Sequence, residues 1–192
     1  MGRNTAQIWL IGMAVGIAFV TGTGRAGAQS DPAPERCAVR EAVPLQLRPL
    51  DCRLAAAIAD GLQRSATFRH LVERVGTLDG IVYIRLQSYV NFDGRRVLDG
   101  ALLHSVTTAG AHRLLHAIVN AEKGDRPIFI LAHELQHAIE VLEAADVSTE
   151  NAVDRLFDRI GFRVYGGAVE TRAALDVEDI VKGELSRRDW VR

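Results

Sequence analysis

Residues 130–139 read ILAHELQHAI, a run in which Glu134 is the one carboxylate and no lysine or arginine occurs. In an α-helix, positions four apart lie on one face about one turn apart, so His133 and His137 would lie close together. The opposite face of the same helix carries an apolar stripe: Ile128, Leu131, Leu135, Ile139 and Leu142. The pattern predicts a helix that packs its apolar face inward and turns two imidazoles toward another part of the protein.

Residues 133–137 form an HExxH motif. Two imidazoles at this spacing can bind one tetrahedral Zn²⁺. Glu134 projects about 100° around the helix from His133, which suits a base acting on water better than a metal ligand. The motif predicts zinc as the cofactor, His133 and His137 as metal ligands and Glu134 as the catalytic base. The alternative is a solvated helix face that carries two histidines by coincidence.

This stretch resembles the active-site helix of the zincin metallopeptidases, with uncharged residues between the histidines and apolar Ile139 after them. The resemblance implies a small sheet before the helix, zinc held by the two histidines, and Glu134 as general base. It also implies that a peptide substrate lies along the edge of that sheet, at the strand around 102–107.

Zinc in a catalytic site takes three protein ligands and one water, so a third ligand is needed. Among zincins, the metzincin branch would place Gly at 140 and His at 143, whereas this chain has Glu140 and Glu143. The gluzincin branch takes a glutamate from a later helix, and the run Glu170-Thr171-Arg172-Ala173-Ala174 resembles that setting. The resemblance thus implies a gluzincin-type site with Glu170 as the third ligand.

Two alternatives accompany this choice. Glu170 could instead be a first-turn glutamate that interacts with the helix dipole. Glu140 lies on the histidine face but about 7.5 Å along the helix axis from the midpoint of the two histidines, so a partner for an imidazole N–H suits it better than a ligand. Candidates for stabilising the oxyanion of the reaction are Tyr165 and Arg172, each with a purely structural alternative.

The surrounding pattern is helices, then a small sheet, then helices, which predicts an α+β fold. Strands of an antiparallel meander are expected over 81–86, 97–107 and 112–119. Helices are expected over about 51–64 (capped by Asp51), 65–76, from an Asp125 cap with Pro127 in the first turn, 149–160 (ended by Gly161) and 168–186. The last helix would pack through a stripe of Val169, Ala173, Val177, Val181 and Leu185.

The 192 residues and balanced composition, with a net charge of −1, are typical of one globular domain. Residues 1–28 are predicted to be a signal peptide, with Arg3, an uncharged run over 8–20 and Ala26-Gly27-Ala28 as cleavage site. Residues 29–50 are predicted to be a flexible lead-in and 51–192 the zincin-like domain. The alternative for the leader is an uncleaved membrane anchor, although its apolar run is short for a spanning helix.

Cleavage would leave a periplasmic or secreted protein with a net charge of −3, since it removes Arg3 and Arg25 and no acid. Without a basic block such a protein is a poor nucleic-acid binder, and it would have no stable membrane span. In an oxidising compartment, Cys37 and Cys52 would form a disulfide worth about 3 kcal/mol, with two free thiols as the alternative. The remaining histidines are expected to be surface or packing residues: His70, His104, His112 and His116.

Three functions follow from these patterns. The first is an exported zinc metallopeptidase that acts on a peptide or protein substrate. The second is a catalytically silent, zincin-like zinc-binding protein that acts as a binding module. The third is a helical envelope protein whose motif is coincidental. The sequence leaves the substrate and the oligomeric state open.

Overall fold

The computed structural model describes residues 43–87, 90–92, 96–120, 127–164 and 168–188. These residues fall within one unit, Glu35–Arg192. The predicted signal peptide, Cys37, Asp125 and Tyr165 lie outside the described residues. The signal peptide, the disulfide between Cys37 and Cys52, the Asp125 cap and the role of Tyr165 therefore stay predictions.

The described residues form five helices and a small mixed sheet, so the chain is a mixed α/β protein. The helices are α1 (Cys52–Arg64), α2 (Ala66–Gly76), α3 (Pro127–Glu143), α4 (Glu150–Ile160) and α5 (Arg172–Arg188). The strands are β1 (Leu47–Pro49), β2 (Gly80–Gln87), β3 (Val90–Phe92), β4 (Arg96–Leu98), β5 (Gly100–Ala109), β6 (His112–Asn120), β7 (Phe162–Arg163) and β8 (Val169–Glu170).

Three helices begin at side-chain caps, of which the sequence predicts the one at Asp51. The Asp51 carboxylate accepts from the Arg53 N–H at the start of α1, and the Ser65 hydroxyl accepts from the Phe68 N–H at the start of α2. The Thr149 hydroxyl caps α4, and the helix ends where the Gly161 N–H donates to a carbonyl of its last turn. These three helix predictions are confirmed.

The main sheet has the order β1-β2-β6-β5, in which β1 and β2 are parallel, β2 and β6 are parallel, and β6 and β5 are antiparallel. The predicted antiparallel meander is therefore wrong except for the β5–β6 hairpin. That hairpin turns at Gly110, whose φ of 60° suits glycine. The β3–β4 ribbon separates β2 from the hairpin along the chain, and the hairpin places β6 rather than β5 beside β2. The predicted strand 97–107 is two strands, β4 and β5.

Strand β1 corrects the predicted domain boundary. Residues 43–50 were expected to belong to a flexible lead-in, but Leu47 is buried and β1 pairs with β2 from Leu47↔Val82 to Pro49↔Ile84. A three-residue strand that contains proline gives little local signal, because proline is depleted in strands.

The core lies where one face of the sheet packs on α3 and on the α1–α2 pair. Its largest fully buried side chains include Phe68, Leu54, Ile58, Ile84, Leu115, Leu131 and Leu135. The predicted apolar stripe of α3 is buried throughout, which confirms that prediction. Gly80 allows β2 to approach the end of α3, since a Cβ there would overlap a methyl carbon of Leu142.

A buried arginine fixes the C-terminal end of α3. The Arg113 guanidinium, on β6, forms an ion pair with Asp79. It also donates to the last carbonyls of the helix and the following turn, those of Val141, Leu142, Ala144 and Val147. A cation at this position is favoured by the helix dipole and satisfies carbonyls that have no partner inside the helix. These contacts fix the position of the end of α3 relative to β6.

The last helix begins later than the sequence predicts. It starts at Arg172 rather than near Ala168, so Val169 and Glu170 lie in the short strand β8, which pairs with β7. Within the expected stripe, Val181 is buried and Ala173 is exposed, because Ala174 takes the inward position. Of the helices that the structure describes, none is long and apolar enough to cross a membrane.

Candidate metal centre

The imidazoles of His133 and His137, both on α3, are buried and contact each other. His133 is 8% exposed and His137 is 6% exposed. Their Nε2 atoms lie 3.1 Å apart, and the rings meet edge-on with centroids 4.8 Å apart. The one-turn spacing predicted from the sequence thus places two nitrogen donors side by side.

Glu170 joins these donors from β8. Its Oε2 atom lies 2.9 Å from His133 Nε2 and 3.6 Å from His137 Nε2. Oε2 is also the one buried side-chain oxygen among the described residues that forms no hydrogen bond of acceptable geometry. The predicted residue is therefore present at the cluster, although it comes from a strand two residues before α5 rather than from the helix itself.

The other ring nitrogen of each histidine is held by a carboxylate. His133 Nδ1 lies 2.9 Å from Glu178 Oε2, and His137 Nδ1 lies 3.0 Å from Glu140 Oε2. With each Nδ1–H donated outward, both Nε2 lone pairs face the cluster. Thr171 donates its hydroxyl to the second oxygen of Glu140, at 2.8 Å. Glu140 thus contacts the ring nitrogen of His137 that faces away from the cluster, which is the position that its predicted role as partner of an imidazole N–H requires.

Sequence reasoning missed Glu178 and Thr171. Thr171 could have been found as a helix cap, because threonine is favoured at that position and its hydroxyl accepts from the Ala174 N–H at the start of α5. Nothing in the local sequence identifies Glu178, because it contacts His133 only where α3 and α5 pack against each other.

The donors His133, His137 and Glu170 could hold a metal ion. Tetrahedral ligands at about 2.0–2.1 Å from a zinc ion lie about 3.3 Å from one another. The three atoms are separated by 2.9, 3.1 and 3.6 Å, which brackets that value. The residues present therefore fit a metal that takes three protein ligands and keeps a fourth position open.

The electrostatics of the cluster favour a cation. Burial lowers the pKa of His133, but its contacts with Glu170 and Glu178 outweigh that effect and raise the pKa to about 10. Burial likewise opposes charge on His137, yet Glu140 and Glu170 raise its pKa to about 9. Burial would raise the pKa of Glu170, but the adjacent imidazoles lower it to about 2.

Glu134 lies beside the cluster and is not one of its donors. It is 4% exposed, and its Oε1 atom faces the start of β5, where a Cβ on Gly100 would lie 2.6 Å away. Burial raises the pKa of Glu134 to about 7, against the lowering effect of His137 and His133. A carboxylate with this pKa can accept and return a proton near neutral pH.

The cluster opens into a cleft of about 750 Å³. Strand β5 forms one wall, and α4 with β8 forms another. Arg172, one predicted oxyanion stabiliser, is exposed and places its guanidinium 5.6 Å from the centre of the Phe162 ring. The structure does not bring Arg172 to the metal donors. His104, expected to be a surface or packing residue, lies in the cleft wall.

Comparison of the chain with protein-family models, with curated proteins and with solved structures finds no match to any of them. The class of protein that the fold and the site define is therefore a mixed α/β domain with a candidate His-His-Glu metal centre.

Proposed function

We propose that this chain is an exported, zinc-dependent peptidase of zincin-like fold and gluzincin type. One observation carries the proposal: two imidazoles and one carboxylate converge on a common point, with a second, buried carboxylate, Glu134, beside them in an open cleft. Export rests on the predicted signal peptide at residues 1–28.

Zinc is the metal that this donor set favours. Imidazole nitrogens and carboxylate oxygens in a three-ligand site with one open position are typical of catalytic zinc. The Nδ1 carboxylates of Glu178 and Glu140 support the assignment, because ligand histidines usually donate their second N–H to such a partner. When bound, zinc supplies Lewis acidity, which acidifies water and polarises a carbonyl oxygen.

Glu134 would act as the general base. A carboxylate with a pKa near 7 takes a proton from the attacking water and later passes it to the leaving nitrogen. Its burial excludes bulk water, and it lies beside the donor cluster without being one of its donors. The second ring nitrogens of His133 and His137 are occupied, so neither histidine competes for this role.

The cleft favours an extended peptide as substrate. Strand β5 is at the edge of the described sheet, paired with β6 on one side, and it lines the cleft beside Glu134. A peptide chain can add to such an edge through main-chain hydrogen bonds, which places a scissile bond near the metal donors. The open cleft favours the peptidase over a silent binding module with a closed cleft, whereas a silent module that lacks only an oxyanion group would share this geometry.

The test combines metal analysis with a peptide-cleavage screen on the purified chain. The proposal expects one zinc per chain, loss of zinc in Glu170→Ala, and loss of cleavage with zinc retained in Glu134→Gln. Glu143→Gln is the matched control, because Glu143 ends the same helix but pairs with Arg74 at the surface. One zinc without any cleavage would favour the silent binding module, and no zinc would favour a coincidental motif.

A further inference from the structure

The described residues that line the cleft include two arginines, which differ in whether the protein supplies an anionic partner. Arg163, on β7, forms an ion pair with Asp158, with 3.0 Å between Nη2 and Oδ1. Arg85, on β2, is exposed and forms no hydrogen bond or ion pair with any residue that the structure describes. The Arg85 guanidinium is therefore available to an anion that enters the cleft.

Strand register relates Arg85 to the edge along which the substrate is proposed to bind. Arg85 pairs with Ile118 of β6, and Ile118 pairs with Ala101 of β5. Cross-strand partners share a face, so these three side chains form a row on one face of the sheet. Their neighbours along the strands, Ile84 and Leu102 among them, are buried in the core on the other face. The whole row lines the cleft, which therefore continues from the metal donors onto this outer face.

A peptide paired with β5 would present one side chain to this row. The substrate residue beside Ala101 points to the same face as Ala101, while its two neighbours point to the opposite face. Ala101 lies between Gly100 and Leu102. Gly100 faces Glu134, and the Leu102 backbone forms a hydrogen bond with the Glu134 carboxylate. At about 3.3 Å per residue, the substrate residue beside Ala101 therefore lies within about two residues of the scissile bond.

The distance across the row selects the kind of side chain that can pair with Arg85. Neighbouring strands are about 4.8 Å apart, so three strand spacings, about 14 Å, separate the Arg85 backbone from a peptide strand beside β5. Two long side chains that lean toward each other can bridge this distance. The stem of Arg85 can lie along apolar Ile118, and the small side chain of Ala101 leaves the space beyond it open. Glutamate has the charge and the length to reach the guanidinium, whereas aspartate is one methylene shorter.

The other face of β5 borders a wall of negative charge. Helix α4 lies there, where His104 Nδ1 is 2.6 Å from Asp154 Oδ1. Glu150 and Asp158 lie about one turn before and after Asp154 on α4, and all three carboxylates line the cleft. A substrate glutamate that points to this face would be repelled, so the two faces of β5 together determine which substrate positions accept it.

We propose that Arg85 is a specificity-determining residue, which pairs with a glutamate side chain of the substrate at the position beside Ala101. The inference rests on the proposed peptidase function and names its substrate class. That class is an extended peptide with a glutamate close to the scissile bond and no acidic residue at either adjacent position. A guanidinium can bind both oxygens of one carboxylate, and this contact fixes the register of the peptide along β5.

The experiment uses the full, zinc-loaded chain and a positional-scanning set of peptides with acetylated and amidated ends, in which each position in turn carries Glu, Asp, Gln or Lys. We expect kcat/KM to be about 5–10-fold higher with Glu than with Gln at one position, with a smaller preference for Asp there. Glu should be disfavoured at the two adjacent positions. Arg85→Gln should lower the Glu-to-Gln ratio to about 1, and Arg85→Glu should reverse it and favour Lys.

Two variants serve as matched controls, and both should keep the wild-type ratio. Arg48→Gln removes a cation on β1 that donates to the Tyr83 hydroxyl at 3.1 Å and is not among the residues that line the cleft. Arg163→Gln removes the other arginine of the cleft. A ratio that survives in Arg85→Gln, or that falls in Arg163→Gln instead, would overturn this inference and leave the peptidase intact. So would a preference that appears only when the amidated end is replaced by a free C-terminal carboxylate.

Peptide binding separates this inference from the proposed function. In zinc-loaded Glu134→Gln, the affinity for the Glu peptide should exceed that for the Gln peptide by a similar factor, and adding Arg85→Gln should remove the difference. A wild type that shows this Arg85-dependent binding but cleaves none of the peptides would overturn the peptidase and keep the role of Arg85. A wild type that neither binds nor cleaves any of them would overturn both.

Discussion

Gly100→Ala should inactivate the protein without removing its metal. The Cβ of the new alanine would lie 2.6 Å from Glu134 Oε1, 3.1 Å from Glu134 Cγ and 2.8 Å from a methyl carbon of Ile130. Ordinary contacts of a Cβ begin at 3.4 Å, so the Glu134 carboxylate has to move by about 0.8 Å. The strand cannot yield easily, because β5 is paired with β6 from Gly100↔Val119 onward.

The size of the effect follows from this displacement. Misplacing a catalytic group by about 1 Å can cost about 10²-fold in rate, or about 2.7 kcal/mol of transition-state stabilisation. None of the donors His133, His137 and Glu170 is among the three atoms nearest to the new methyl group, so zinc affinity should stay within a few-fold of wild type. The combination of lost cleavage and retained zinc is what the position of Gly100 predicts.

The assay measures kcat/KM on a cleaved peptide and zinc affinity by competition with a chelator. Gly76→Ala is the matched control, because its Cβ would meet Pro44 at 3.6 Å, an ordinary contact. Wild-type kcat/KM in Gly100→Ala, with zinc bound, would refute the placement of Glu134 as the base. A loss of zinc in Gly100→Ala would show that the contact supports the metal donors instead.

Three further predictions test the metal centre and its support. Zinc affinity should rise by about 10–100-fold per pH unit below pH 9, because zinc displaces one or two protons from the imidazoles. A zinc affinity that does not change from pH 6 to 8, measured by chelator competition, would contradict this. Glu178→Gln should weaken zinc binding by about 10–100-fold, whereas the exposed neighbour Asp179→Asn should leave the affinity unchanged. Arg113→Met should destabilise the fold by about 3 kcal/mol or more in denaturant titration, while loss of the exposed cation in Arg69→Met should cost under about 1 kcal/mol.

The helix that carries the motif could be predicted because its information is local. The spacing of His133 and His137 and the apolar stripe are properties of one helix, and the Glu140 contact follows from a three-residue separation on the same face. Glu170 could be named from the family resemblance, but its element could not. A helical pattern extends through Glu170, yet pairing of β8 with β7 keeps that residue in a strand.

The sheet could not be predicted to the same extent. Local sequence identifies β2 and β6 as strands but carries no information on which strand lies beside which. The parallel pairing of β2 with β6 depends on how the β5–β6 hairpin packs in the folded domain, which the local sequence does not encode. Glu178 and the pair of His104 with Asp154 are hidden for the same reason, because each contact joins two elements far apart in the chain.

The pKa values around the centre explain how the same buried histidines and glutamates can be stable both with and without a bound metal. In the metal-free protein, protons on the imidazoles offset the carboxylates of Glu170, Glu178 and Glu140. A histidine whose pKa rises from 6.5 to about 10, as for His133, contributes stability that is complete below pH 6.5 and is lost as the pH rises to about 10. Glu134 acts in the same direction, since its pKa rises from 4.5 to about 7.

Metal and protons therefore compete for one set of donors, and the stability that each contributes changes with pH in the opposite direction. Metal-free protein should unfold at progressively lower temperature from pH 6 to pH 9, because the stabilising protons leave. Over the same range zinc binds more tightly, so the difference in Tm between zinc-loaded and metal-free protein should widen. Replacing His137 by alanine removes one of the two raised-pKa imidazoles and one of the three metal donors. Zinc should then add no stability, so the unfolding curves with and without zinc should coincide at every pH. A difference in Tm that stays constant with pH would mean that metal and protons occupy separate sites.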